Sequence, residues 1–432
     1  MATFQKIPSN TIDEALKELR IKSLDNASIR QIVALANMLE AQTGIRFIRM
    51  EMGVPGLPAC QVGVEAEINA LKNGVASKYP LINGIPQLKQ ACSNFVKKFM
   101  DIDILPDGCI PTVGSMQATY TAFLAVNNLK QNQDTTLFLD PGFPVQKQQM
   151  KVLGLNYKAF DIYKHRGNKL EDKLRSYLEE GNISSVIYSN PNNPSWMCLT
   201  DKELEVIGRL SKEFGFIVLE DLAYFGMDTR ENKDTNNIKQ ATVAKYTDNY
   251  ILFLSSSKIF SYAGQRCGMI IISDYLYNME SPKLEERFGT STLGDVIILK
   301  ILYALSSGVS HSAQYALAAM LEKSVSGELD FIRDTIEYSK RAKEVKAIFE
   351  KYDFYLVYTD DLEIEIGDGF YFTLSKTGLD NNTLMKQLLQ CGISAISLKE
   401  TGSEFSGIRA CVSNITRIQI EELDRRLSMF DL

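Results

Sequence analysis

Short apolar runs alternate along the chain with longer stretches whose apolar residues recur every third or fourth position. The apolar runs lie at residues 109–113, 135–139, 184–188, 216–219 and 250–254. Runs of this kind are typical of buried parallel strands, and the longer stretches are typical of amphipathic helices. The pattern predicts an α/β fold in which a mainly parallel sheet is covered by helices on both faces.

The C-terminal part of the chain repeats this alternation on a smaller scale. Strand-like runs and helical patterns follow one another at residues 354–358, 370–374, 381–390, 408–412 and 416–429. Residues 12–42 are also predicted to be helical, with a clear start at Ser28. We therefore predict a large domain over residues 50–310 and a smaller α/β domain formed by residues 1–49 and 311–432.

The composition excludes several classes of protein. The 432 residues carry a net charge of −6 and 45% of them are hydrophobic, which is ordinary for a globular protein and argues against a nucleic-acid-binding surface. No apolar run reaches the roughly 18 residues of a membrane helix, and the N-terminus lacks the apolar core of a signal peptide. The seven cysteines are scattered, as in a cytoplasmic protein with reduced thiols, and the two histidines are too few for a histidine-based metal site.

A lysine with unusual neighbours follows one of the apolar runs. Lys258 comes directly after Ser255, Ser256 and Ser257, and Arg266 follows a few residues later. Burial at a strand end would lower the pKa of the lysine and leave a nucleophilic amine. An amine, small hydroxyls and a guanidinium together suit a cofactor that carries an aldehyde and a phosphate, and pyridoxal phosphate is such a cofactor.

Two other strand ends carry polar groups that need a partner. The sequence Asn-Pro-Asn-Asn-Pro at residues 190–194 has a rigid backbone, so the amide of Asn193 can be directed at a ligand with little loss of entropy. Asp221 ends the next strand, and a buried carboxylate needs a partner such as a protonated pyridine nitrogen. Because ligands bind at the carboxyl edge of open α/β sheets, these residues are expected to share a site with Lys258.

Loops supply further candidates. A glycine turn precedes a helix for which Ser115 is predicted as the N-cap, and Met116 would offer a free N–H to a phosphate. Phe143, held between a glycine and a proline, is either an aromatic lid over a flat ring or part of the core. Gly53 lies in a loop rich in glycine and proline, whose backbone can approach a ligand closely. Tyr79 either donates to a phosphate or packs.

Three of these motifs resemble, in their order and spacing, those of the class I/II aminotransferases, the fold type I group of pyridoxal-phosphate enzymes. They are Asn-Pro-Asn-Asn-Pro at 190–194, Asp221 with Tyr224, and Ser-Ser-Ser-Lys at 255–258 followed by Gly-Gln-Arg at 264–266. The resemblance extends from about residue 28 to the C-terminus. It implies an aminotransferase that moves an amino group from an α-amino acid to a 2-oxo acid through an internal aldimine on Lys258.

The resemblance also implies a role for each residue that binds the cofactor, pyridoxal 5′-phosphate. Asp221 would pair with the ring nitrogen and, with Lys258 and Tyr224, belong to the catalytic set. Asn193 and Tyr224 would bond the ring hydroxyl, and Phe143 would stack on the ring. The phosphate would be held by Ser115, Met116, Ser255, Ser257 and Arg266.

On the substrate side, Arg409 would bind the α-carboxylate, and Gly53 and Asn193 would lie beside the substrate. Tyr79 would reach the phosphate of the neighbouring subunit, since the active sites of the family are shared in a homodimer. No metal site and no nucleic-acid or membrane partner is implied.

The chain departs from the family pattern at two motifs, and residues 275–300 show little of the family signature. Ser195 and Trp196 stand where Thr-Gly is usual, and Val54 stands where an acidic residue is usual. Transamination, β-elimination and racemisation share one carbanion, so the residues alone leave the reaction open. A carbon–sulfur β-lyase of the same fold is the alternative hypothesis, and a non-catalytic, cofactor-sensing regulator is a third.

Overall fold

The computed structural model describes residues 4–230, 234–235, 238 and 240–430. The strands of this part of the chain are β1 Ile48–Arg49, β2 Cys109–Thr112, β3 Thr135–Asp140, β4 Asn156–Asp161, β5 Ile183–Ser189, β6 Ile217–Leu222, β7 Tyr250–Ser255, β8 Gly268–Ile272, β9 Phe354–Leu356, β10 Asp360–Asp361, β11 Ile364–Glu365, β12 Tyr371–Lys376, β13 Ile393–Ser394, β14 Ile396–Ser397 and β15 Ile408–Cys411.

Helices separate most of these strands. They are α1 Ser9–Glu18, α2 Ile29–Thr43, α3 Gln61–Lys72, α4 Pro86–Met100, α5 Gly114–Val126, α6 Pro144–Leu153, α7 Leu170–Leu178, α8 Asp201–Phe214, α9 Ser256–Ile259, α10 Asp274–Tyr277, α11 Pro282–Phe288, α12 Leu293–Asp295, α13 Tyr303–Ser306, α14 His311–Ser326, α15 Phe331–Lys351, α16 Asn381–Gln390 and α17 Arg417–Leu427. A π-helical stretch, Val296–Leu302, joins α12 to α13. Among the described residues, no helix combines the length and the apolar character that crossing a membrane requires.

The largest sheet has seven strands in the order β2-β8-β7-β6-β5-β3-β4. Strand β8 is antiparallel to both of its neighbours, and all other pairings are parallel. Strand β7 shows why both faces are covered: Leu252 and Leu254 pack into the core on one side, and Ile251 and Phe253 into the core on the other. The predicted mainly parallel sheet with helices on both faces is therefore confirmed.

A second, antiparallel sheet has the order β14-β15-β12-β9, and β1 pairs in parallel with β13 beside it. Apolar residues from 7–50 and from 342–430 share one core, so the N-terminal segment packs with the C-terminal part of the chain. Helix α14 instead buries Ala316, Leu317 and Met320 in the core of the large sheet. The division into two domains stays a prediction, and the change from one core to the other falls within α15, between Tyr338 and Ala342, instead of at residue 310.

The N-terminal region corrects one expectation. Residues 12–42 are not one helix, because α1 ends at Glu18 and Arg20 adopts a positive φ of 55°. Ser28 then caps α2 reciprocally: its Oγ accepts from Gln31 N at 3.3 Å, and its own N–H donates to Gln31 Oε1 at 2.9 Å. The start predicted at Ser28 is thus confirmed, and it brings Arg30 to the mouth of the cavity described next.

Candidate active site

A cavity of about 540 Å³ opens at the carboxyl edge of the large sheet, where β5, β6 and β7 end, and β12 and β15 of the smaller sheet close it. The structure brings together every predicted site residue except Tyr79. Those lining the cavity are Gly53, Ser115, Met116, Phe143, Asn193, Asp221, Tyr224, Ser255, Ser257, Lys258, Arg266 and Arg409. Another cavity, of about 610 Å³, lies between α15 and the start of α3, and none of the predicted residues lines it.

Lys258 lies on α9, just beyond the end of β7. Its Nζ donates a hydrogen bond to the Gly53 carbonyl and lies 5.5 Å from the centroid of the Phe370 ring. Burial, together with the nearby cations Arg409 and Arg266, lowers the pKa of Lys258 to about 8. About one tenth of the amine is therefore neutral at pH 7, far more than for an ordinary lysine, and the neutral form is the one that attacks an aldehyde or accepts a proton.

Asp221 lies at the carboxyl end of β6 and points into the cavity. Its Oδ2 accepts a hydrogen bond from Gln146 Nε2 at 2.8 Å, and its Oδ1 accepts from Ala223 N at 3.1 Å. Neither donor is a cation, so burial dominates and raises the pKa of Asp221 to about 6. The carboxylate lacks an ion-pair partner among the described residues, and a bound cation would favour its charged form.

The first turn of α5 forms another wall of the cavity and corrects the predicted N-cap. The helix begins at Gly114 with Val113 as the N-cap, because the Val113 N–H donates to the Gln117 side chain at 2.7 Å and closes the turn early. Ser115 and Met116 therefore lie inside the first turn. The N–H groups of a first turn have no acceptor within the helix, so they remain available to an anion.

Arg266 approaches this helix start from the other side. A Cβ atom on Gly114 would lie 2.6 Å from Arg266 Nη2, so the absence of a side chain at Gly114 lets the guanidinium close onto the first turn. Ser255 Oγ and the Ser257 N–H, which are joined by a hydrogen bond of 3.2 Å, line the same cavity. Hydroxyls, N–H groups and one permanent cation thus converge, as phosphate binding requires.

Trp196, the first departure from the family pattern, lies behind the cavity wall. Its side chain is 0% exposed, its φ is 66°, and its ring meets that of Tyr224 edge-on at 5.3 Å. A Cβ on Gly369 would lie 2.0 Å from the indole, so glycine at that position makes room for the tryptophan. Asn193 lines the cavity despite the altered turn.

Arg409 on β15 is a buried cation in the cavity wall, only 1% exposed. Its Nη2 donates to the Glu51 carbonyl, and its Nη1 donates to Asn193 Oδ1 at 3.3 Å. Its Nε has no hydrogen-bond acceptor in the described protein. The guanidinium also has no carboxylate partner among the described residues, and a buried cation without an anion costs free energy, so this position favours an anionic ligand.

Tyr371 and Gln146 were not expected from the sequence. Tyr371 accepts a hydrogen bond from Tyr224 Oη at 2.8 Å, and its ring lies 4.7 Å from the Arg409 guanidinium carbon. Its strand was predicted, but the register that places it diagonally across from Arg409 is set by pairing and cannot be seen in one sequence. Gln146 follows the loop that carries Phe143, and only the folded chain shows that it reaches Asp221.

Tyr79 is 95% exposed and does not line the cavity of its own chain. Its predicted role depends on a neighbouring subunit, so it stays a prediction.

The cavity offers one matching group for each reactive part of pyridoxal 5′-phosphate. Arg266 and the first turn of α5 suit the phosphate, the Lys258 amine suits the aldehyde, and the Asp221 carboxylate suits a protonated ring nitrogen. The raised pKa of Asp221 agrees with this assignment, because the site gives the carboxylate no cation of its own. The described residues contain no group of three or more His, Cys, Asp or Glu that could hold a metal ion.

The family model described as aminotransferase class I and II matches residues 46–427. The (5-formylfuran-3-yl)methyl phosphate transaminase of Methanocaldococcus jannaschii is 24% identical over 86% of this chain and 87% of its own length. The aspartate aminotransferase of Pyrococcus horikoshii is 28% identical over 58% of this chain and 61% of its own length.

Solved structures show the same fold. The aspartate aminotransferase of Thermus thermophilus with maleate superposes with a TM-score of 0.76 and 17% identity, covering 94% of this chain and 96% of the other. That of Thermotoga maritima gives a TM-score of 0.74 and 21% identity, with coverages of 97% and 99%. The chain belongs to the class I and II aminotransferases, and it is a fold type I enzyme that depends on pyridoxal 5′-phosphate.

Proposed function

We propose that the cavity transfers the amino group of an α-amino acid to a 2-oxo acid, with Lys258 as the nucleophile and proton carrier. The observation that carries this proposal is the meeting of three groups in one cavity: the Lys258 amine, the Asp221 carboxylate and the Arg409 guanidinium. The names of the relatives, an aspartate aminotransferase among them, agree with substrates of this kind.

Lys258 has two tasks in this proposal. Its lowered pKa, about 8, gives enough neutral amine for attack on the cofactor aldehyde. With the cofactor bound, the Lys258 Nζ would act as the base that takes the proton from the substrate Cα and as the acid that gives it back during the transfer of the amino group. The Gly53 carbonyl, which accepts a hydrogen bond from Nζ, holds the amine at the substrate side of the cavity.

When bound, pyridoxal 5′-phosphate supplies the aldehyde that accepts the amino group and a ring that withdraws electrons from Cα. Asp221 holds a proton on the ring nitrogen by ionic pairing, which keeps that ring electron-poor. Gln146 orients the carboxylate by its bond of 2.8 Å to Oδ2. Phe143, Asn193 and Tyr224 line the walls between the anion-binding first turn of α5 and Arg409.

Arg409 binds the α-carboxylate of the substrate as a planar fork. The guanidinium is already fixed by Glu51 O and Asn193 Oδ1, so little entropy is lost when the carboxylate arrives. Gly53 lies beside the substrate, and its lack of a side chain makes room for the Tyr371 hydroxyl. This fixed anchor orients the Cα–H bond toward Lys258.

The finer assignments concern the assembly and the location. We infer a homodimer in which Tyr79 reaches the phosphate in the neighbouring subunit, since its exposed phenol has no role within its own chain. Sedimentation of the active enzyme as a monomer would contradict this. A cytoplasmic location agrees with the seven scattered cysteines, which suit a reducing compartment.

Borohydride reduction of the purified enzyme tests the proposal directly. Reduction should add a phosphopyridoxyl mass to the peptide that contains Lys258, and a label on any other lysine would refute the assignment. A mass-spectrometric screen of amino donors with a 2-oxo acid acceptor then tests the reaction. Release of pyruvate and ammonia from cysteine conjugates, without formation of a new amino acid, would instead support the carbon–sulfur β-lyase hypothesis.

A further inference from the structure

Tyr371 is a buried cavity residue to which the proposed reaction has given no task. It lies on β12, is 3% exposed and lines the cavity. Its Oη accepts a hydrogen bond from Tyr224 at 2.8 Å. No acceptor for the proton of the Tyr371 hydroxyl occurs among the described residues, so this donor is free to serve a ligand.

The backbone pairing sets Tyr371 beside Arg409. Strands β12 and β15 are antiparallel, with Thr373 opposite Arg409 and Tyr371 opposite Cys411. Tyr371 and Arg409 are therefore diagonal neighbours on one face of the sheet. The guanidinium carbon lies 4.7 Å from the centre of the phenol ring, in a cation–π contact that holds both groups in place.

Gly53 lets the phenol reach the substrate side of the cavity. A Cβ atom on Gly53 would lie 1.8 Å from Tyr371 Oη, so any side chain there would displace the hydroxyl. The Gly53 carbonyl accepts the hydrogen bond from Lys258 Nζ. The free hydroxyl donor of Tyr371 thus lies beside the Arg409 guanidinium, in the part of the cavity where Lys258 acts.

We propose that Tyr371 is a substrate-binding residue whose hydroxyl donates to the same α-carboxylate that Arg409 holds. This inference rests on the proposed function, and it adds a neutral donor that discriminates for a carboxylate at Cα. Burial raises the pKa of Tyr371 to about 12, although Arg409 opposes that shift, so the hydroxyl keeps its proton over the working pH range. The Tyr224 bond fixes the direction of this donor.

The test measures the binding of a 2-oxo acid to the enzyme that carries the cofactor in its aldehyde form, in which that ligand cannot react. Calorimetry gives the Kd. Tyr371→Phe keeps the ring over Arg409 and removes only the hydroxyl, so we expect Kd to rise about 10-fold or more, the scale of a hydrogen bond to a charged group. The kcat/KM for the matching amino acid should fall by a similar factor, whereas that for the decarboxylated amine should not change.

Tyr338→Phe is the matched control. Tyr338 is also fully buried and packs against the neighbouring Phe370, with ring centroids 4.3 Å apart, but it does not line the cavity. This variant should bind the 2-oxo acid as the parent does. A Kd for Tyr371→Phe within twofold of the parent overturns the inference, as does an equal loss with the carboxylate-free amine.

A double-mutant cycle with Arg409→Lys distinguishes a shared contact with the carboxylate from a general loss of activity. Because both side chains would bind one carboxylate, the loss in the double variant should be smaller than the product of the single losses. Strictly multiplicative losses would mean that Tyr371 does not share the carboxylate. If the parent enzyme binds no 2-oxo acid, or borohydride labels another lysine, the proposed function fails and this inference falls with it.

Discussion

Two groups of buried charges in this enzyme are built on opposite principles. The first, which we call the Arg166 cluster, consists of Arg166, Glu203, Arg230 and Asp361. Arg166 bonds Glu203 through Nε at 2.6 Å and Asp361 through Nη1 at 2.8 Å, and Arg230 bonds the other oxygen of Asp361 at 2.8 Å. Burial alone would raise the pKa of Glu203, but the hydrogen bonds from Arg166 leave it lowered. The cluster satisfies its own charges and ties the β10–β11 hairpin to the large sheet.

The cavity is the second group, and its charges do not satisfy one another. Lys258 and Arg409 face a single lining carboxylate, Asp221, with which neither forms an ion pair in the described protein. Arg409 keeps an unpartnered Nε, and the pKa shifts of Asp221 and Lys258 both run against the charged form. Complete pairing indicates a structural role, whereas buried charges left without partners indicate a ligand that supplies them.

The largest expected effect on stability comes from removing the central cation of the Arg166 cluster. Arg166→Met should lower the free energy of unfolding by about 3–5 kcal/mol, because it leaves the buried Glu203 without its cation and leaves Asp361 with Arg230 alone. Urea denaturation measures this loss. The folded fraction should keep its cofactor absorbance, since Arg166 does not line the cavity.

Arg209→Met is the surface control for this prediction. Arg209 also pairs with a glutamate, Glu171, but the two side chains are 49% and 32% exposed, so the change should cost no more than about 1 kcal/mol. Equal costs for the two variants would show that the Arg166 cluster contributes no more than a surface pair.

Arg409→Lys should have the next largest effect. This effect should be on activity and not on stability. Lysine keeps the charge but loses the planar fork. We therefore expect kcat/KM for amino acids to fall by a factor that corresponds to about 2–4 kcal/mol of transition-state stabilisation, while the cofactor spectrum stays unchanged. Amines that lack a carboxylate should suffer no added penalty, and steady-state kinetics with paired substrates measures the difference.

Arg341→Lys serves as the control. Arg341 is partly buried and, like Arg409, donates to a backbone carbonyl, that of Ser413 at 2.7 Å, but it does not line the cavity. If Arg409→Lys impaired amino acids and simple amines equally, Arg409 would have a structural role.

The cavity was largely predictable from the sequence, and the Arg166 cluster was not. Lys258, Asp221 and Asn193 each follow an apolar run, and the rule that strand ends share one edge places them together. Arg166, Glu203 and Asp361 have no local pattern in common, because they meet only through tertiary packing. Tyr371 and Gln146 were missed for the same reason: a strand register and a helix rotation bring them to the site. The sequence therefore predicts a site formed by residues at strand ends better than it predicts contacts between residues of different helices and strands.

The last prediction separates two neighbouring carboxylates on one strand. Asp221 faces the cavity, whereas Glu220 faces the opposite side, where Thr242 Oγ1 donates to it at 2.6 Å and burial raises its pKa to about 7. The pKa of Asp221 rises from 3.8 to about 6, so its contribution to stability is complete below pH 3.8 and is lost as the pH rises through 6. Asn matches the protonated form, and Gln146 can turn its amide to suit it. In the cofactor-free enzyme, Asp221→Asn should therefore equal the parent at pH 4 within about 1 kcal/mol and exceed it by about 2–3 kcal/mol at pH 8.

Adding the cofactor should distinguish this carboxylate from its neighbour. The parent gains a cationic partner for Asp221, so the advantage of Asp221→Asn at pH 8 should shrink or reverse in the loaded enzyme, and its turnover should fall by roughly 10²–10³-fold. Glu220→Gln should show a similar gain at high pH, because it also removes a buried charge, but the cofactor should not change that gain. Urea denaturation of the three proteins at both pH values, with and without cofactor, measures all of these differences. If the advantage of Asp221→Asn persisted unchanged with cofactor, Asp221, like Glu220, would receive no cation from the ligand. The contrast between the paired charges of the Arg166 cluster and the unpaired charges of the cavity would then not hold for Asp221.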